Sequence, residues 1–182
     1  MHPVEAGPSA SIFEKEDPIT GLSFVAWFFA QTQKDPKFYP LERSTITFFN
    51  VMSFKTINQR FSYQGGNKYL CKFRDELQKL FEGEKVLRAG ADPLVVISLN
   101  LSVEEIALRI KLLNKAMSTY EGGLRNQIKA GIYIADGTPQ QPIVMMDRAS
   151  IACREVHGIF NREYAVFDEE LRKKHEQKQY VL

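Results

Sequence analysis

The side chains of this 182-residue chain that could do chemistry are few and widely spread. Asp92 stands in the stretch Gly90–Ala91–Asp92–Pro93–Leu94, between two apolar runs. A carboxylate there can hold a cation, or act only as an ordinary turn residue. Asn50, Lys55 and Asn58 share one short stretch, where a β-branched and aromatic run gives way to a helical pattern. Lys55 reads either as a solvated helix-end lysine or as a cation beside a helix start, which is a natural anion site. The amide of Asn58 can both donate and accept. Asn67 has a purely structural reading, as the cap of a helix beginning at Lys68. His157 lies at a helix end and is mostly neutral at pH 7 unless its pKa is raised. His2, His157 and His175 have no metal-ligand spacing, and no zinc site is expected. Cys71 and Cys153 could pair or bind a metal, but each falls in a helix-like apolar pattern, so two reduced, buried thiols are expected.

Composition narrows the classes. The net charge of +2 is too small, and the basic residues too scattered, to argue for nucleic acid or an anionic membrane. Apolar stretches are short and interrupted, so no membrane span is expected. The first residues, MHPVEAGPSAS, lack the basic start and apolar run of a signal peptide, and residues 1–16 read as a leader or linker. One domain of ordinary size is expected.

The elements that must position these side chains follow from periodicity. A helix is predicted from about Leu22, with Phe24, Val25, Phe28 and Phe29 inward. Ser44–Met52 reads as a central strand, Phe54–Phe61 as a short helix. After a break at Gly65–Gly66 a longer helix carries Leu70, Phe73, Leu77 and Leu80. Lys85–Ala89 and Leu94–Leu101 form a hairpin around Gly90–Pro93. Ser102 and Glu105 make a capping box for a helix with Val103, Ile106, Ile110, Leu113 and Met117 inward. Alternation of Ile128, Ala130, Ile132 and Ile134 gives another strand. Pro142 opens a helix to about Val156, a short strand follows, and Asp168 caps a charged tail helix. The order describes an α+β fold, a mostly antiparallel sheet of about five strands covered by helices.

Five stretches in this order resemble the GGDEF, or diguanylate cyclase, domains. Asp17–Pro18–Ile19–Thr20–Gly21–Leu22 is similar to D-x-L-T-G-L, and Asn50 to Asn58 to D-x-D-x-F-K-x-I-N. Arg88–Ala89–Gly90–Ala91–Asp92–Pro93–Leu94 stands where the family has R-x-G-G-[DE]-E-F. Gly131–Ile132–Tyr133 and Asp147–Arg148–Ala149 resemble the last core strand and helix. The resemblance covers residues 17–167 and implies a nucleotidyl-cyclase-like fold with a ferredoxin-like core. Working members join two GTP molecules into cyclic di-GMP, using carboxylates on two Mg²⁺ ions.

The resemblance places those metal positions at Asn50, the Val51 backbone and Asp92, with a further essential carboxylate at position 93. Only Asp92 is acidic; Asn50 is neutral and Pro93 can neither bind metal nor accept a proton. Ala91 replaces a glycine. Asn58 matches the residue that reads guanine, while Asn67 stands where an Asp accepts from the base. Lys55 and the Phe54 backbone match phosphate contacts, and His157 replaces a phosphate lysine. The product-inhibition motif R-x-x-D aligns with Phe81 and Glu84 and is absent. The expectation is therefore a catalytically silent GGDEF-like domain, with no required cofactor and at most weak binding of GTP with Mg²⁺. The tail, residues 168–182, resembles the connector that leads many such domains into an EAL phosphodiesterase domain. The implied partners are GTP, a second copy of the domain, and an EAL domain in the same full-length bacterial, cytoplasmic chain. A nucleotide sensor without turnover is the alternative, and an altered cyclase the third reading.

Overall fold

The computed structural model describes residues 14–119 and 127–180. In chain order the elements are β1 (Ser23–Phe24), α1 (Val25–Lys34), β2 (Thr45–Val51), α2 (Phe54–Leu80), β3 (Lys85–Arg88), β4 (Leu94–Ser98), α3 (Val103–Ser118), β5 (Ile128–Ile134), α4 (Pro142–Glu155), β6 (Tyr164–Val166) and α5 (Glu169–Gln179). They form one six-stranded sheet in the order β1-β3-β4-β2-β5-β6. Its centre is antiparallel: β2 pairs with β4 and β5, and β3 with β4. The edges are parallel, β1 on β3 and β6 on β5. The α+β plan expected from the sequence is present, with one strand more than expected.

Alternation along the strands sorts the core into two layers. Phe49 and Val51 of β2, Leu94 and Val96 of β4, and Ile128, Ala130 and Ile132 of β5 meet α2 and α3 through Phe73, Leu77, Ile106, Ile110 and Leu113. Ile46, Leu87, Val95, Ile97 and Tyr133 face the other way, toward α1 and α4. By this alternation Asn50 and its cross-strand partner Lys129 share the α4 side. Gly131 sets the spacing of that side. A Cβ at this position would overlap the Ala149 carbonyl and the Cys153 amide, so α4 lies directly on β5 because residue 131 has no side chain.

Local chemistry fixes the ends. Ser102 accepts from the Glu105 amide while Glu105 accepts from that of Ser102, completing the capping box. Pro142 occupies the first turn of α4. Asp168 accepts from the Leu171 amide at the start of α5. Leu171 is the one buried residue of α5, docked among Ile151, Ala152, Val156 and Ala165, and Lys174 bridges to Glu155 at 2.8 Å. One buried leucine is worth about 1.5–3 kcal/mol. Deleting residues 170–182 should thus leave a folded domain whose thermal midpoint is lower by a few degrees, measured by circular dichroism. Collapse of the domain would assign α5 to the core.

Several expectations are corrected. The first helix begins at Val25, not Leu22, because Ser23 and Phe24 pair with Leu87 and Arg88 as an edge strand. Glu16 bridges Ser23 and the Lys15 carbonyl accepts from Phe24; the rest of the expected leader, residues 1–13, lies outside the described residues. The interruption expected at Gly65–Gly66 lies at Ser62, whose φ of 66° and ψ of 176° kink α2. The two glycines are helical, and their bare Cα atoms receive the side chains of Phe61 and Asn58 across the kink. Asn67 is consequently interior to a helix and caps none. Cys153 is buried as expected, whereas Cys71 is half-buried; both are free thiols.

Candidate functional site

Of the residues singled out in the sequence, Asn50 and Val51 lie at the end of β2 and Gly90–Leu94 in the β3–β4 hairpin. The hairpin is held by Arg88, only 7% exposed. Its Nε donates to the Gly90 carbonyl at 2.9 Å and its Nη2 to that of Ala91 at 2.6 Å, while Nη1 pairs with the carboxylate of Asp17. Asp17 also accepts from the Thr20 hydroxyl at 2.6 Å and from the amides of Ile19 and Thr20. Burial pushes the Asp17 carboxyl up, but the bonds from Thr20, Arg88 and the two amides outweigh it and hold its pKa below the ordinary value. The turn Asp17–Leu22 and the hairpin are therefore one unit, joined by a buried ion pair.

Asp92 sits half-buried in that hairpin, followed by Pro93, whose carbonyl accepts from Ala89. Burial raises the Asp92 pKa and the Arg88 charge only partly offsets this. Asn50 lies at the end of β2 opposite Lys129, and Val51 opposite Ile128, both inside the β2–β5 ladder. Sequence reasoning missed Lys129. It is 1% exposed, and its Nζ donates to the carbonyls of Ile159, at 2.7 Å, and Arg162. The signal was available as a lysine second in an otherwise apolar strand.

The residues present fit Mg²⁺ poorly: such a site is ordinarily built from one or two carboxylates plus substrate phosphates, and here Asp92 is the one acid, its pKa raised by burial, while Asn50 is neutral and lies across the ladder from the Lys129 ammonium. Among the described residues no group of three His, Cys, Asp or Glu could hold a metal.

The remaining positions are spread along α2 and behind α4. Phe54 is buried and packs on Tyr69, and Lys55 is exposed beside it in the first turn. Ser53, before them, has φ 59° and makes no side-chain cap, and the first turn of α2 carries no acid. Asn58 is half-buried with its amide against Gly66, while Asn67 is exposed on a shallow cleft with Pro18, Ile19, Lys68, Cys71, Lys72 and Asp75. His157 lies 3.7 Å from the Cys153 thiol. Burial, then the charges of Arg154 and Lys129, push the His157 pKa down, so it is neutral at pH 7. Burial pushes the Cys153 thiol up to about 12, which keeps it unreactive. Phe81, in the aligned product-inhibition position, points into the core at 5.9 Å from the Phe49 ring.

The family described as "Diguanylate cyclase, GGDEF domain" matches residues 15–162. The chain belongs to the GGDEF family. Among solved structures it is similar to the GGDEF domain of DgcB from Caulobacter crescentus in complex with c-di-GMP, at 14% identity and a TM-score of 0.69, covering 84% of this chain and 95% of that one. The GGDEF domain of TpbB (YfiN) from Pseudomonas aeruginosa matches at 17% identity and a TM-score of 0.69, covering 88% and 99%. The FimX GGDEF domain from the same organism matches at 16% identity and a TM-score of 0.65, covering 78% and 93%. At these identities the likeness establishes the fold. No curated protein matches the chain. Among the described residues no helix is long and apolar enough to cross a membrane.

Proposed function

We propose that this GGDEF domain makes no cyclic di-GMP and acts as a regulatory and dimerisation module in cyclic di-GMP signalling, controlling an attached EAL phosphodiesterase domain. The observation that carries the silent half is the β2–β5 ladder at the site: a neutral Asn50 paired with the buried ammonium of Lys129. Catalysis of this type needs metal ions to neutralise a triphosphate and activate a hydroxyl, and the chain offers Asp92 as the one carboxylate, next to Pro93. The regulatory half is supported by α5, whose single buried side chain and charged surface suit a helix that transmits a change to whatever follows it.

The alternative, a GTP sensor without turnover, draws on Lys55 and Asn58, which keep the types expected of nucleotide contacts. Calorimetric titration with GTP and Mg²⁺ separates the readings. Losing one charged acceptor at position 67 and a cation at position 157 should cost about 1.5–3 kcal/mol each, so affinity is expected to be weaker than micromolar. Asn67→Asp should tighten it by restoring a two-acceptor edge, and Asn58→Ala should weaken it. A nanomolar dissociation constant for the unaltered chain would favour the sensor and contradict the regulatory reading.

A further inference from the structure

Among the described residues only one of the two edges of the sheet is covered. Outside β1, Glu16 bridges Ser23 and the Lys15 carbonyl accepts from Phe24. Outside β6 no further strand of the sheet follows. We propose that a second copy of this chain docks on the β6 edge about a twofold axis, with β6 antiparallel to β6 and α3 beside α3. This rests on the dimerisation part of the proposed function and names its surface, across the sheet from the β3–β4 hairpin.

The strand offers its backbone. The Glu163 carbonyl accepts from the Ala130 amide and the Phe167 amide donates to the Ile132 carbonyl, so these groups face β5. By alternation the amides and carbonyls of Tyr164 and Val166 face outward, a row that a second strand can pair with. Tyr164–Ala165–Val166 has no charge and no proline, the devices that ordinarily blunt an edge. A groove of about 830 Å³ runs along it between α3 and α5, lined by Ala107, Leu108, Lys111, Tyr164, Val166 and Leu171 among others.

The charges along the groove choose the occupant. Asn114 donates to the Ile128 carbonyl and the Glu163 carboxylate, which sets the later turns of α3 beside the start of β6. The helix runs back over the sheet from there, so Lys111 stands toward the start of β6 and Glu104 toward its end. Arg162, before the strand, and Glu170, after it, repeat that polarity, and all four side chains are exposed. None of them joins an ion pair among the described residues. A twofold axis at Ala165 lays the basic end of each copy on the acidic end of the other, Lys111 against Glu104 twice over. A neutral segment, or one of a single sign, matches at most one end. Acid first and base later also suits the dipole of α3, but that does not account for Leu108, 58% exposed between the two charges. The antiparallel copy covers it near the axis.

Sedimentation equilibrium of the whole chain over a range of concentrations tests this. The unaltered chain should dimerise reversibly. Lys111→Glu and Glu104→Lys change exposed side chains, and circular dichroism should show both variants folded. Each should weaken self-association by about tenfold or more, because each sets like charges opposite one another twice. Mixed in equal amounts, the two variants should pair with each other as tightly as the unaltered chain does with itself, since every opposed pair is again of opposite sign. Dimers undiminished by either reversal would overturn the proposal and leave dimerisation to another surface. Variants that each lose the dimer but do not rescue one another would overturn the antiparallel arrangement, and the proposal with it. A chain that stays monomeric at every concentration would overturn both the proposal and the dimerisation reading it rests on.

Discussion

Replacing Asp17 by alanine is expected to remove about 3–5 kcal/mol of folding stability, the usual result of stranding one partner of a buried ion pair. The Arg88 guanidinium would stay enclosed with its Nη1 protons facing a void, while Nε and Nη2 still hold the Gly90 and Ala91 carbonyls. Thr20 would lose the acceptor of its hydroxyl and amide as well. Urea unfolding followed by fluorescence measures this directly. The double variant Asp17→Leu, Arg88→Met should recover much of the loss, because an apolar pair needs no desolvation of charge. The pair also predicts a pH dependence. The Asp17 pKa is lowered on folding, so the native state binds its proton less readily than the unfolded chain does. Its stabilisation is complete above the ordinary carboxylate pKa of 3.8 and is lost as pH falls through the lower folded value. The wild type should therefore lose stability on acidification more steeply than the double variant. A loss below about 1 kcal/mol in Asp17→Ala would mean that the N-terminal turn is not bound to the hairpin in this way.

Gly131→Ala is expected to cost about 3 kcal/mol, at the upper end of what overpacking by a single methyl does. Most added methyl groups meet the movable end of a side chain. This one meets backbone on both sides, the Ala149 carbonyl and the Cys153 amide, so relief requires α4 to lift from β5. α4 carries Met145, Ala149, Ala152 and Cys153 into the core, and all would move with it. Loss of stability should come with a shift in the amide resonances of residues 145–156. A variant as stable as the wild type would show that the strand and helix are less close than described.

Much of the fold was legible because it rests on local rules. The capping box at Ser102, Pro142 at a helix start, Asp168 as a cap, and the Gly90–Pro93 turn each name a boundary from a few neighbouring residues. What was not legible depends on contacts between distant segments. Ser23 and Phe24 look like the first turn of a helix, and only their pairing with Leu87 and Arg88 makes them a strand. Gly65–Gly66 carries the usual mark of a break, yet the chain bends at Ser62 and uses the glycines to let Asn58 and Phe61 approach. A positive φ at a serine costs on the order of 1–3 kcal/mol, which no sequence rule would choose. At the site, the missing acids at positions 50 and 93 could be read directly. Lys129 stood out only as a charge in an apolar strand; its pairing with Asn50 across the ladder and its burial depend on segments distant in sequence.

The most direct test of catalytic silence is product analysis. The purified chain is incubated with GTP and either Mg²⁺ or Mn²⁺, and the mixture is resolved by chromatography beside a control carrying Asp92→Ala. The structure predicts no cyclic di-GMP in either sample, since Asn50 and Pro93 leave Asp92 without the partners that metal-assisted transfer requires. Cyclic di-GMP formed by the unaltered chain and absent from the control would contradict it.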